Sequence, residues 1–231
     1  MRITITTSDA YHHLLPITCY LFNKYWSDRQ IVEIVGYKEP EYDLPSNFIL
    51  KSLGVQSGNK KDFSNDLRTY FEQQDQFFIW LFDDTFLKDN VNFESFEILK
   101  RFTKNKDCGR INLSGESVKQ KHSKMCEVGP YNIFENTQDS EYRLSTQPSI
   151  WNRDFLLKYL TKDLNPWEFE TQYSKNDGYV ILGMNRQQCP LKHNEGVRRF
   201  DIFKYDFTGI DDQTLNELQT IITNNNIQWN Q

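Results

Sequence analysis

The feature that most constrains the fold is a run of six apolar residues, Phe77-Phe78-Ile79-Trp80-Leu81-Phe82, closed by Asp83-Asp84. Six large apolar side chains in succession are too few for a helix of their own and suit a central strand covered on both faces. Such a strand needs helices above and below its sheet. The segments around it supply them. Residues 2–7 alternate β-branched side chains as a first strand, and residues 11–26 carry apolar groups at helical spacing. Residues 31–37 read as a second buried strand and 48–53 as a third. A helix over 66–74 leads into the six-residue run.

Beyond the acid pair the pattern continues with a helix over 92–102 and a strand over 110–113. Residues 114–136 are polar and take no clear assignment, and 142–150 are strand or extended chain. Helices over 153–160 and 166–173, a strand over 179–183 and an amphipathic helix over 212–222 complete the chain. Strands alternating with helices imply an α/β protein with a mostly parallel central sheet flanked by helices. No repeat, linker or composition break divides residues 1–231, so a single domain is expected.

Composition removes several classes of function. Aromatic residues reach 15% with 17 Phe, 12 Tyr and 5 Trp, which excludes wholesale disorder. A formal charge of −5 provides no global field for nucleic acid or anionic lipid, although Lys119, Lys121, Lys124, Arg198, Arg199 and Lys204 leave room for a local basic face. Cys19, Cys108, Cys126 and Cys189 lack metal or redox spacing and suit free thiols in a reducing compartment. The start of the chain has no signal-peptide pattern and no apolar run spans a bilayer, so a soluble, cytoplasmic protein is expected. Gly-x-Ser-x-Gly, Gly-x-Gly-x-x-Gly and P-loop patterns are absent.

In open α/β sheets, sites lie beyond the carboxyl ends of the strands, which directs attention to Asp83 and Asp84. Two adjacent carboxylates at a buried strand end repel each other, and a divalent cation would relieve the repulsion. The same pair also serves as an ordinary turn or helix cap. Both roles stay open on the residues alone.

The apolar strand followed by Asp83-Asp84-Thr85-Phe86-Leu87 resembles the acidic motif of GT-A glycosyltransferases. Further segments are similar to a bacterial and viral group of these enzymes: Leu21 to Trp26, Leu44 to Phe48, Ser52-Leu53-Gly54 and Pro166 to Glu170. The resemblance implies a GT-A-like, Rossmann-like domain, with a nucleotide-binding half at about 1–113 and an acceptor-side half at about 114–231. It implies transfer of a sugar from a nucleoside-diphosphate donor, UDP favoured, to a hydroxyl of a glycan or other biopolymer, aided by Mn²⁺ or Mg²⁺. Asp83 and Asp84 would meet metal and diphosphate, with His193 as a third ligand. The usual motif is Asp-any-Asp, and Thr85 stands where its second carboxylate would fall, so which Asp ligates is left open.

The resemblance further places Thr6, Thr7, Ser8 and Asp9 near base and ribose, and leaves Arg68 or Lys51 to meet phosphate. Gln147, Trp151 and Trp167 become acceptor contacts. Glu170, three residues after Trp167, is the expected base for inversion, and Glu168 is its alternative. His12 and His13 are expected on a helix surface. Two alternatives remain: a viral glycosyltransferase acting on hydroxylated bases in DNA, and a carbohydrate-binding module without catalysis. Oligomeric state has no signal in the sequence.

Overall fold

A computed structural model describes residues 1–59, 61–115, 121–172, 176–198 and 201–229, without the side chain of Arg198. Of the basic-face candidates, Lys119 and Arg199 lie outside these residues. Strand hydrogen bonding follows the order β3-β2-β1-β4-β9-β6-β10-β8-β7, where β1 is Ile3–Thr6, β2 Val32–Gly36, β3 Phe48–Ser52, β4 Phe77–Phe82, β6 Cys108–Asn112, β7 His122–Val128, β8 Tyr131–Asn136, β9 Ser149–Asn152 and β10 Val180–Met184. The fold is mixed α/β. The six-residue run is β4 with the bounds its sequence predicts.

By its internal contacts the chain forms two compact units whose borders do not follow the division near residue 113. One comprises Met1–Ile3, Ser57–Trp80 and Asn92–Pro190. It holds α2 (Asp62–Phe71), α3 (Phe93–Lys100), α4 (Arg153–Tyr159) and α5 (Pro166–Thr171). Its core is aromatic. Phe71 stacks on Phe78 with ring centres 5.0 Å apart, and Trp80 lies 5.7 Å from Trp151, which in turn stacks on Phe155. Strand β9 runs antiparallel to both β4 and β6.

In this unit the sheet is mixed: β7, β8 and β10 also pair antiparallel, and β10 pairs parallel with β6. The unassigned stretch over 114–136 contains the β7–β8 hairpin. It was illegible because β7 is almost wholly exposed and a bulge between Lys124 and Cys126 breaks the alternation. The strand expected within 142–150 starts only at Ser149. Tyr142 has a positive φ of 54° and belongs to a turn.

The other unit comprises Thr4–Gln56, Leu81–Val91 and Leu191–Gln231. Here β2 and β3 run parallel from Val32–Phe48 to Gly36–Ser52. Strand β1 is parallel to β4, since Ile79 N–H donates to the Arg2 carbonyl and, four residues on in each strand, Asp83 N–H donates to that of Thr6. The helix expected over 11–26 is three conformations in series. Asp9–Leu14 is 3₁₀, α1 is Leu15–Phe22, and Asn23–Ser27 widens into a π turn. Pro16, near the start of α1, cannot donate a main-chain hydrogen bond and separates the first two.

Besides β5 (Thr85–Leu87), three short strands were not foreseen. These are β11 (His193–Glu195), β12 (Val197–Arg198) and β13 (Asp201–Tyr205). β11 pairs antiparallel with β5, and α6 (Asp212–Asn224) packs on α1.

Candidate functional site

In the second unit the ends of β1, β2 and β3 converge on one turn. Gly36 ends β2, and a Cβ there would meet the Thr7 methyl at 2.7 Å, so any larger residue would push the two strand ends apart. Asp9 ties the loops together. Its N–H donates to Gln56 beyond β3, and its carboxylate accepts the Lys38 N–H beyond β2 at 3.3 Å. Thr7 and Asp9 are half-exposed at this convergence.

Thr6 is different. It is buried, with its hydroxyl 3.5 Å from the Leu81 carbonyl, so it fastens β4 and offers no side chain to a ligand. The placement of His12 and His13 on a helix surface is also corrected. Both are buried, and burial holds both imidazoles below the ordinary value of 6.5. His12 Nε2 lies 3.7 Å from the Asp9 carboxylate. His13 bonds the Ile202 carbonyl at 3.0 Å and packs on Phe203.

Asp83 and Asp84 follow β4 in this unit. Asp83 is 6% exposed and its Oδ2 is buried with no hydrogen-bond partner. Burial, and then the charge of Asp84, push its carboxyl well above the ordinary carboxylate range, while the Thr7 hydroxyl and the N–H groups of the turn act the other way. Asp84 is half-buried. Tyr11 is close enough that, after burial, the two carboxylates raise its phenol as well.

The main chain of the pair is fully held. Phe82 N–H donates to the Thr85 hydroxyl at 3.3 Å, the Asp83 carbonyl accepts the Thr18 hydroxyl, and the Asp84 carbonyl accepts N–H groups of Phe86 and Gly196. Thr18 carried no signal in the sequence, because a hydroxyl on an apolar helix face announces nothing about a turn 65 residues away.

His193 sits opposite Leu87 in the β5–β11 ladder, and Gly196 N–H donates to the Asp84 carbonyl. Among the described residues no three His, Cys, Asp or Glu side chains converge as a metal site. Any cation at Asp84 would take its remaining ligands from diphosphate and water, which is how Mg²⁺ is commonly held.

The other predicted residues belong to the first unit. In α5, Asn165 caps Trp167 and Glu168 N–H groups, and the Glu168 carboxylate returns to Asn165 N–H at 2.9 Å. Glu168 is thus the closing half of a capping box. Glu170, one turn from Trp167, accepts both the N–H and the hydroxyl of Thr146 at 2.6 Å. Trp167 is 65% exposed, and Gln147 is half-buried next to Thr146.

Two assignments are corrected. Trp151 is wholly buried among Trp80, Phe155 and Phe169, so its indole is core and reaches no acceptor. Arg68 donates to the carbonyls of Leu157 and Leu160 and pairs with Glu72. It caps the end of α4 and is not placed for phosphate.

The parallel pairing of β1 with β4 and of β2 with β3, flanked by helices, is that of a Rossmann-like α/β protein. No protein-family model and no curated protein matches the sequence. Solved structures do match the fold. A cytidylyltransferase from Leptospira borgpetersenii serovar Hardjo-bovis (strain JB197) has a TM-score of 0.50 at 10% identity, covering 100% of this chain and 97% of that one. TarS 1-349 of S. aureus has a TM-score of 0.50 at 13% identity, covering 84% of this chain, which spans 60% of its length. At such identities the likeness establishes the fold.

Proposed function

We propose that the chain is a glycosyltransferase that uses a nucleoside-diphosphate-sugar, with a divalent cation held at Asp84. The observation that carries this is the acid turn itself. A buried carboxylate with an unpartnered oxygen stands next to a second, half-exposed carboxylate, beside the turn formed by Thr7 and Asp9. Burial and like charge disfavour that arrangement, and a cation reverses both effects. Mn²⁺ or Mg²⁺ bound there would neutralise the departing diphosphate. Asp84, the more exposed of the two, is the ligand; Asp83 orders the turn.

Within α5, Glu170 is the carboxylate that remains for a base: Thr146 occupies its Oε1, whereas Glu168 is consumed by its cap. Trp167 offers an exposed ring to a sugar face. A DNA acceptor has less support, because Lys121 and Lys124 are paired with Asp139 and Glu127.

The full-length match to a cytidylyltransferase favours a second reading, nucleotidyl transfer from CTP. That chemistry must hold a triphosphate, and the segment Thr7 to His13 contains no Lys, Arg or Gly to cradle one. Thermal denaturation with UDP, CDP, GDP and ADP, each with Mn²⁺ or with EDTA, tests the proposal. The expected result is one nucleotide whose stabilisation increases with Mn²⁺ in wild type but not in D84N. Stabilisation by CTP with release of pyrophosphate would establish the second reading instead. No response to any nucleotide would favour a binding module.

A further inference from the structure

We infer that Thr18 is a positioning residue for the acid pair, acting through the main chain of Asp83; this rests on the donor-site role proposed for Asp84. Thr18 lies on α1, is 2% exposed, and donates its hydroxyl to the Asp83 carbonyl. Main-chain groups of Thr6 and Gly196 also bond the turn, and the Thr7 hydroxyl acts on the Asp83 carboxyl. Thr18 provides its bond through a side chain, so here the choice of residue matters.

The turn that follows this helix holds the far end of the loop. Seven residues after Thr18, about two helical turns, the Tyr25 carbonyl accepts Val91 N–H at 3.0 Å. Tyr25 lies in the π turn over Asn23–Ser27, where the widened main chain departs from the regular α-helical bonding ladder. The segment from Asp83 to Val91 is thereby fastened at one end to α1 and at the other to the π turn that follows it. At its start, where Asp84 would present a carboxylate to a cation, the Asp83 carbonyl accepts the Thr18 hydroxyl. Val at position 18 would preserve shape and leave the Asp83 carbonyl buried without that donor, which releases the turn.

The test uses the intact chain with UDP, or whichever nucleoside diphosphate stabilises the wild type, titrated with MnCl₂. The readout is the Mn²⁺ concentration giving half of the metal-dependent rise in Tm, set against each variant's own Tm. T18V should need about tenfold more Mn²⁺, the consequence of losing one hydrogen bond. Its stabilisation by nucleotide in EDTA should be unchanged, and T18S should stay within about threefold of wild type. A purely structural role would lower the baseline Tm and leave the Mn²⁺ midpoint alone. Should T18V fail to fold, T18A carries the same expectation.

D84N distinguishes the two levels of failure. If D84N loses the Mn²⁺ response while T18V matches wild type, the role of Thr18 is overturned and that of Asp84 stands. If wild type and D84N respond alike, the donor-site role falls and the inference about Thr18 falls with it.

Discussion

Glu170 and Glu168 sit two residues apart in a six-residue helix, and their surroundings give them different work. Glu168 closes the capping box, so E168A should cost about 1 kcal/mol of stability, seen as a lower urea midpoint, with turnover retained. Glu170 holds Thr146 through one oxygen. In E170Q the amide oxygen still accepts from Thr146, so the fold should survive while kcat falls about 10²- to 10⁴-fold. Full turnover in E170Q would remove it as the base. The sequence marked both carboxylates; it could not divide them, because the division depends on where Thr146 and Asn165 come to rest.

Packing of whole elements makes β11 and β5 a unit. Gly196 follows β11, and a Cβ there would come within 2.6 Å of the Phe86 ring, itself fully buried and stacked on Phe207. G196A should therefore cost about 1–3 kcal/mol through overpacking. It should also weaken the bond from Gly196 N–H to Asp84, so the Mn²⁺ response should decline along with Tm. An unchanged Tm would show that Phe86 yields freely. A second test concerns the buried pair Arg143–Asp177, whose side chains are 0% and 2% exposed. Arg143 also bonds the carbonyls of Asn136, Thr137 and Tyr179, and Tyr159 donates to Asp177. This network ties β8 to the segment before β10. D177A would strand a buried guanidinium and should cost about 3–5 kcal/mol, readable as a large fall in the urea midpoint.

At the scale of the molecule, pH should act through buried histidines. Burial lowers His12 and His13 from 6.5, with Asp9, Lys38 and Glu41 also acting on His12. The folded state then binds fewer protons than the unfolded chain between the lowered values and 6.5. Stability is complete above 6.5 and is lost as pH falls through that window. Asp83 has the opposite slope, since its raised carboxyl favours the folded state at low pH. The urea midpoint of D83N should therefore drop from pH 7 to pH 5, and less so when H12N is added. A flat profile would mean that the imidazoles are not held neutral. Among the described residues no helix is long and apolar enough to cross a membrane.

What the sequence by itself determined was the central strand, the acid pair at its end and the order of most strands and helices. Those follow from periodicity and from a buried run that has few alternative homes, and β4 emerged with its predicted bounds. Local pattern could not reveal β7, β11 or β13, whose side chains are largely exposed or only half-buried and whose strand character comes from their partners. Nor could it tell core from surface: Trp151 and Trp167 look alike in sequence, and one is sealed under Phe155 while the other faces solvent. The sign of pairing, the partners of each carboxylate, the burial of His12 and the bond from Thr18 to Asp83 were decided by tertiary structure. Each depends on groups far apart in the chain, and a hydrogen bond acquires its meaning only once its partner has been brought to it.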